Sequence, residues 1–522
     1  MPEPSTRYPN PVLFLIIVVY LAIGTLYALL TPPWQIPDEP AHYNYVRFVA
    51  ENLRYPILQM GDYPHEYLEE IKAKGFPPEM PIDPIRYEFH QPPLYYSLAA
   101  PLYWLTRFWP PPQQVIALRF LSLLMGAGVV YLAYLIAREI FPMASVQVGE
   151  PLRRLRIKPS QGWNEVLALG TAAFVAGVPM HLAMLAAVNN DGLAELMLAG
   201  ILWVLVRYVK GAEGTEGTEG AEGRRPWRLV GLGVLVGLGI LTKTTTLISI
   251  PLVLVAVVFA VRHQPSAIRY SLFAIFLPAL LLTLPWFVRN ATVYGGLDIL
   301  GWTRHDAIVV GQPRTADGLA QYGAVSLIKD FLLTTFRSFW AQFGWMGVLV
   351  DERIYLLLAL LCAIVGLGFL IYLFRVIRER DILSAYQRAA LGLLALSAFL
   401  TGLSYLWYNT KFVQHQGRYL FPALVPLGLF FALGLREILA KERARIVAIL
   451  ALAGLLLLTA KGLLTGDFNK VSMALLGGTA LAFGLKTLLP ERYDDVVFAL
   501  PYLGLFALDV ICLFGFIVPY FR

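Results

Sequence analysis

Ile36-Pro37-Asp38-Glu39-Pro40-Ala41-His42 follows the first long apolar run of the chain, Val12 to Leu30, and the fold turns on how the two are read together. If the run is a retained membrane span, the acidic pair stands where that span releases the chain into water. Pro37 and Pro40 restrict the backbone on either side of the two carboxylates. One reading of the pair is structural, with Asp38 capping a helix, Glu39 in its first turn and Pro40 just inside. The other is chemical: a positioned base at a membrane surface. The run itself is longer than the apolar core of a secretory leader, and Thr31-Pro32-Pro33-Trp34 offers no small-x-small cleavage site. It reads as a retained anchor entering from the cytoplasm.

Composition agrees with a membrane protein. The 522 residues are 57% hydrophobic and 15% charged, with a mean hydropathy of +0.62, the signature of a polytopic chain. Cys362 and Cys512 both fall inside apolar runs, which excludes a disulfide framework and a thiolate metal site. The net charge of +7 comes from Lys and Arg in short loops between apolar runs. That is the pattern of topology control, and it excludes nucleic acid as a partner.

Outward from the first span, residues 32–115 carry ten Asp/Glu against six Lys/Arg, so this segment is expected outside. Within it Glu39 to Asn52 predicts an amphipathic helix with Tyr43, Val46, Arg47 and Ala50 along one stripe, suited to an interface. His90 to Trp109 is apolar yet barely long enough to cross. The next run, Val115 to Phe141, leads to Arg138, Arg153, Arg154, Arg156 and Lys158, a basic loop expected inside. A single crossing must separate the two loops, so the His90 to Trp109 piece reads as a juxtamembrane or re-entrant helix.

The remaining runs alternate consistently: Val166 to Leu185, Leu193 to Val209, Leu229 to Leu241, Leu247 to Val261 and Tyr270 to Val288, then one ending at Arg375, then Leu391 to Trp407, one ending at Arg436, Ile446 to Leu458, Ser472 to Leu488 and Val497 to Val518. A Gly-x-Glu run, Gly211 to Gly223, reads as an inside linker. A second large external segment, 289–351, carries another stripe of Ile328, Leu332, Phe336, Phe339, Trp340 and Phe343. The expected fold is therefore an all-α polytopic bundle of about 13 transmembrane helices, with amphipathic juxtamembrane helices in a large first external loop.

This topology gathers the unusual polar residues on one side: Asp38, Glu39, His42, His90, Arg119, Asn189, Asn190, Asp191, Lys243, Arg289, Asn290, His305, Asp306, Lys411, His415, Gln416 and Arg418. A carboxylate base with clustered Lys and Arg suits deprotonation of an acceptor while a phosphate departs. Each residue also has a plainer reading. Arg289, Lys411 and Arg418 at span ends can snorkel to headgroups, Asn189-Asn190-Asp191 can start a helix, and Glu195 and Asp509 can hydrogen-bond between helices. His42 and His305 show no zinc-site spacing.

These residues bring a resemblance into view. The chain resembles the GT-C superfamily of membrane glycosyltransferases, in the branch of protein O-mannosyltransferases, the lipid A aminoarabinose transferase and their uncharacterised bacterial relatives. The likeness rests on Asp38-Glu39 after the first span, His90-Gln91-Pro92-Pro93-Leu94-Tyr95-Tyr96, Arg119-Phe120-Leu121-Ser122, Pro285-Trp286-Phe287-Val288-Arg289-Asn290 and Gln416-Gly417-Arg418-Tyr419-Leu420-Phe421-Pro422. It covers residues 1–436 as a catalytic transmembrane module, leaving 437–522 as further transmembrane helices. Gln91 stands between His90 and Pro92, where relatives often have His-Pro-Pro-Leu or Lys-Pro-Pro-Leu.

The resemblance implies inverting transfer of a hexosyl or pentosyl unit from a polyprenyl-phosphate donor to an acceptor at the outer face of the cytoplasmic (inner) membrane. Asp38 would be the general base and Glu39 would orient the acceptor or a nearby cation. His42, His90, Arg119, Lys243, Arg289, Lys411, His415 and Arg418 would serve substrate or lipid phosphate. No metal site is expected, although Asp38 and Glu39 could hold a divalent cation. No large soluble module follows the last apolar run, so a lipid or small glycan is expected as acceptor. The alternative is a transporter or flippase of lipids or lipid-linked sugars, which predicts ionisable groups at mid-bilayer and two repeated halves. No internal repeat is evident.

Overall fold

The computed structural model describes residues 10–142, 163–213, 226–262, 264–379 and 381–522. Arg153, Arg154, Arg156 and Lys158 and most of the Gly211 to Gly223 run lie outside them. The helices in chain order are α1 (Pro11–Leu30), α2 (Glu39–Asn52), α3 (His65–Ala73), α4 (Leu94–Thr106), α5 (Pro111–Ile140), α6 (Trp163–Ala176), α7 (Pro179–Leu185), α8 (Asp191–Glu213), α9 (Pro226–Ile240), α10 (Ser249–Val261), α11 (Pro265–Tyr294), α12 (Trp302–Ile308), α13 (Thr315–Trp340), α14 (Glu352–Arg378), α15 (Ala385–Asn409), α16 (Leu424–Ile438), α17 (Lys441–Thr465), α18 (Lys470–Leu488) and α19 (Asp494–Cys512). One small hairpin, β1 (Gln342–Phe343) with β2 (Val348–Leu349), pairs antiparallel between α13 and α14.

Among the described residues 11 helices are long and apolar enough to cross a membrane. The pair α6 and α7 is bent by 65° at Gly177-Val178, and counting it as one broken span gives 12. The remaining expected crossing is α9, only 15 residues long. All the apolar runs of the sequence thus form helices, but the count of 13 is not reached by length and apolarity. The break has a local cause. Pro179 supplies no N–H to the helical ladder, and the buried His181 ring takes over a carbonyl at the bend, its Nδ1 lying 3.0 Å from the Val175 oxygen. Its Nε2 meets Glu195 on α8 at 2.7 Å, which ties the broken helix to its neighbour.

The core joins α1, α5, α6, α8 and α16 with the last helix. Tyr27 of α1 donates to the Asp509 carbonyl at 2.8 Å, and Phe498, Tyr502 and Leu505 of α19 are buried. Part of the segment beyond residue 436 thus packs into the same core as the first helices. Among the described residues α17 and α18 pack chiefly on each other, and α18 buries Lys486 alone.

The long first loop behaves differently from an interfacial segment. Through its first turns α2 is buried on every side, with Ala41, Tyr45 and Val46 fully inaccessible, because α3, α4 and the chain before α4 wrap it. The expected stripe of Tyr43, Val46, Arg47 and Ala50 is mostly core, packed by Tyr43 against Trp34 and Tyr103. The later stripe divides in the same way. Ile328 and Leu332 are exposed on α13, whereas Trp340 and Phe343 are buried. The loops at this end of the bundle also interlock. The Trp345 indole donates to the Trp34 carbonyl at 2.8 Å, and Thr315 and Val413 exchange backbone bonds with Lys411 and Pro313 across the second and third loops.

Candidate active site

The acidic pair at 38 and 39 divides its labour. Glu39 opens α2 and points inward, where Arg119 of α5 meets it through Nε at 2.8 Å and Nη2 at 2.7 Å. Both side chains are essentially inaccessible to solvent. The Trp34 and Val188 amides also donate to Glu39. Arg119 spends its other N–H groups on the carbonyls of Ala28, Thr31 and Pro32 at the end of α1. A guanidinium has five N–H donors, and all are committed. Glu39 and Arg119 therefore form a buried clasp binding the first span to α2 and α5. Neither side chain lines the cavity described below.

Asp38 takes the other direction because its backbone is left-handed, with φ of 68°. A short polar side chain tolerates that region better than most. Asp38 occupies the cap position of α2, yet its carboxylate makes no capping bond. Instead Oδ1 accepts from the Tyr87 hydroxyl at 2.7 Å and Oδ2 from Arg418 Nη2 at 2.6 Å. Burial pushes this carboxyl up, but Arg418, His42 and the Tyr87 bond together outweigh it and hold it at about 2. Gly417 lets Arg418 come close: a Cβ there would lie 2.3 Å from the Phe339 nitrogen and the Thr335 oxygen on α13.

The pair opens onto a cavity of about 510 Å³. Tyr87, Glu88, His305, Gln312, Gln416, Tyr408 and Tyr419 share its wall with Asp38 and Arg418, and its outer part is lined by His65, Glu69, Lys72 and Trp345. Trp345 and Met346, like Asp38, have positive φ, of 54° and 71°. Strained backbone at non-glycine residues concentrates where a site is being shaped.

Three expected residues lie behind the wall. His42 shares a hydrogen bond with Tyr96 at 2.8 Å; burial lowers its pKa, against the pull of Glu88 and Asp38. Lys243, from the turn after α9, is ion-paired with Asp191 at the start of α8. His90 sits over His305 with ring centroids 4.4 Å apart, and burial pushes its imidazole down to about 4. Its Nδ1 lies 3.0 Å from the Tyr87 carbonyl, which can only accept, so neutral His90 presents a lone pair at Nε2. In that geometry His90 offers an acceptor, and not a donor, at Nε2.

The structure does not bring Arg289, Lys411 or His415 to the cavity. Arg289 stacks on Trp286 and bonds Asn290 and the Pro56 carbonyl. Lys411 is exposed over Trp407. His415 is buried against Phe331. Sequence reasoning missed Tyr87 and Glu88, although only Phe89 separates them from the His90-Gln91-Pro92-Pro93 motif. Among the described residues no group of three or more His, Cys, Asp or Glu could hold a metal ion.

No family model and no curated protein matches the chain. Solved structures do match. One is ArnT from Cupriavidus metallidurans bound to undecaprenyl phosphate, with 16% identity, a TM-score of 0.53, and coverage of 96% of this chain and 76% of that one. The same protein in its apo state gives 15% identity and a TM-score of 0.52 over the same shares. The arabinosyltransferase EmbB from Mycobacterium smegmatis gives 14% identity and a TM-score of 0.51, covering 98% of this chain and 43% of that one. At these identities the likeness is one of fold: the chain shares the fold of ArnT and of EmbB.

Proposed function

We propose that the chain is a glycosyltransferase moving a sugar from a polyprenyl-phosphate donor to an acceptor hydroxyl, at the outer face of the cytoplasmic membrane. The observation that carries this reading is the Asp38–Arg418 pair in the wall of a polar cavity at one end of a membrane bundle. Arg418 has donors beyond those given to Asp38 and Gln416, and a guanidinium hydrogen-bonds phosphate oxygens strongly. As the sugar–phosphate bond breaks, negative charge grows on the departing oxygen, and a fixed cation there lowers the barrier. Asp38 faces the acceptor from the other side of the pair. A lipid phosphate leaves without needing a proton, so one displacement suffices and the anomeric centre inverts.

The undecaprenyl phosphate bound to ArnT supports a long isoprenoid carrier for this chain too. The opposite end of the bundle is stitched by Lys210–Glu139 and by Arg375 and Arg443 on Glu437, a basic bias that supports assigning it to the cytoplasm. The acceptor in this reading is a lipid or small glycan. The test is transfer by purified protein in lipid nanodiscs, supplied with undecaprenyl-phosphate-linked mannose, glucose or arabinose and a cell-lipid extract. Labelled sugar should move to acceptor with release of undecaprenyl phosphate. If none of these donors is consumed while lipid-linked sugar is translocated across proteoliposomes, the protein is a transporter instead.

A further inference from the structure

The cavity wall holds two carboxylates, and they are differently occupied. Both oxygens of Asp38 already accept hydrogen bonds, one from Tyr87 and one from Arg418. Glu88 is one residue from Tyr87 in the single helical turn Tyr87–His90 and lines the same cavity. Its Oε2 is buried and has no hydrogen-bond partner. We propose that Glu88, and not Asp38, takes the proton from the acceptor, because it is a second carboxylate in the cavity wall and one of its oxygens has no hydrogen-bond partner. This assignment rests on the glycosyl-transfer reading.

The electrostatics separate the two candidates. A proton placed on Asp38 would neutralise the partner of the buried Arg418 and break that ion pair. A proton on Glu88 breaks no ion pair. The charged groups acting on Glu88 are His42 and Asp38 at the start of α2 and Lys243 in the turn after α9, and Lys243 is already paired with Asp191. Burial also raises the Glu88 carboxyl above its ordinary range, with Asp38 adding to the rise against His42 and Lys243, the direction that suits a group exchanging protons near neutrality.

The step balances without any other reactant. The acceptor oxygen forms a bond to the anomeric carbon as the bond from that carbon to the phosphate oxygen breaks. The bonding electron pair leaves with the lipid phosphate, and the acceptor proton passes to Glu88 Oε2. Asp38 keeps its charge throughout and holds Arg418 towards the phosphate. Return of the Glu88 proton to water through the open cavity resets the site.

The test uses the full chain in nanodiscs, with two readouts: turnover of an undecaprenyl-phosphate-linked sugar that the wild type consumes, and affinity for undecaprenyl phosphate itself. Glu88→Gln keeps the shape of the side chain and should lower kcat by about 100-fold or more while leaving undecaprenyl phosphate affinity unchanged. Glu88→Asp should retain part of the activity with a displaced acidic limb in its pH profile. Asp38→Asn, in contrast, should weaken undecaprenyl phosphate binding. Wild-type turnover in Glu88→Gln, or loss of lipid phosphate affinity in step with kcat, overturns the assignment and leaves glycosyl transfer standing. A wild type that consumes no lipid-linked donor overturns the glycosyl-transfer reading, and the role of Glu88 falls with it.

Discussion

Arg418 Nη2 lies 2.6 Å from Asp38 Oδ2, across 380 residues of chain. The contact joins the loop after α1 to the start of the span that contains α16, and it sets a buried guanidinium against a carboxylate in the cavity wall. Removing the guanidinium should therefore act on donor binding first. Arg418→Ala is expected to weaken undecaprenyl phosphate affinity by about 10- to 100-fold, the scale of a charge-assisted hydrogen bond to an ion. Arg418→Lys should recover only part of this, because an ammonium cannot hold Asp38 and a phosphate in the same planar fork. Equal affinity in wild type and Arg418→Ala would remove Arg418 from the phosphate site.

Much of this was legible in the sequence, for identifiable reasons. Apolar runs long enough to cross a bilayer declare themselves, and the alternation of basic and acidic loops fixed which span ends share a side. That located Asp38 and Arg418 at the same end. It could not say which way each side chain turns. Asp38 and Glu39 are adjacent, yet the positive φ at Asp38 sends one carboxylate to the cavity and the other into the clasp with Arg119. Arg289, Lys411 and His415 share the end without sharing the cavity, since a helix end exposes several faces and sequence names none of them. Glu88 looked like any acid in an acidic loop; only the wrapped fold around α2 shows it lining the site.

The Glu39–Arg119 clasp predicts a stability effect rather than a catalytic one. Glu39→Gln or Arg119→Met leaves the other charge buried without its partner, at a cost of about 3–5 kcal/mol. The thermal midpoint and yield of detergent-extracted protein should fall sharply for each. Combining Glu39→Gln with Arg119→Met should recover part of the loss, because no unpaired charge then remains. A double variant as unstable as the sum of the singles would mean that the carbonyls of Ala28, Thr31 and Pro32, not Glu39, are the main partners of Arg119.

Gly417 is fixed by contact with backbone, which cannot yield as a side chain can. A Cβ would lie 2.3 Å from the Phe339 nitrogen and 2.3 Å from the Thr335 oxygen, so Gly417→Ala must push the Arg418 segment away from α13. Overpacking of this kind costs about 1–3 kcal/mol. Activity should fall more than stability does, since the displaced neighbour is Arg418. The measurement is kcat/KM beside thermal midpoint; wild-type kcat/KM in a destabilised Gly417→Ala would contradict the coupling.

His90 supplies the pH test. Its imidazole titrates at about 4 in the folded protein, driven down by burial, against about 6.5 in an unfolded chain. Between those values the unfolded chain holds the extra proton and the folded one does not, so acid favours unfolding. The neutral ring's contribution is fully present above about pH 6.5 and drains away as pH falls towards 4, by about 3 kcal/mol in all. His42, His305 and His415 are lowered in the same direction, so the wild type should keep some slope even without His90. Thermal midpoints measured from pH 7 to pH 4 should therefore fall less steeply in His90→Gln than in wild type. Identical slopes would mean that His90 is already charged in the fold, in which case its Nε2 would carry a proton and could donate to a phosphate after all.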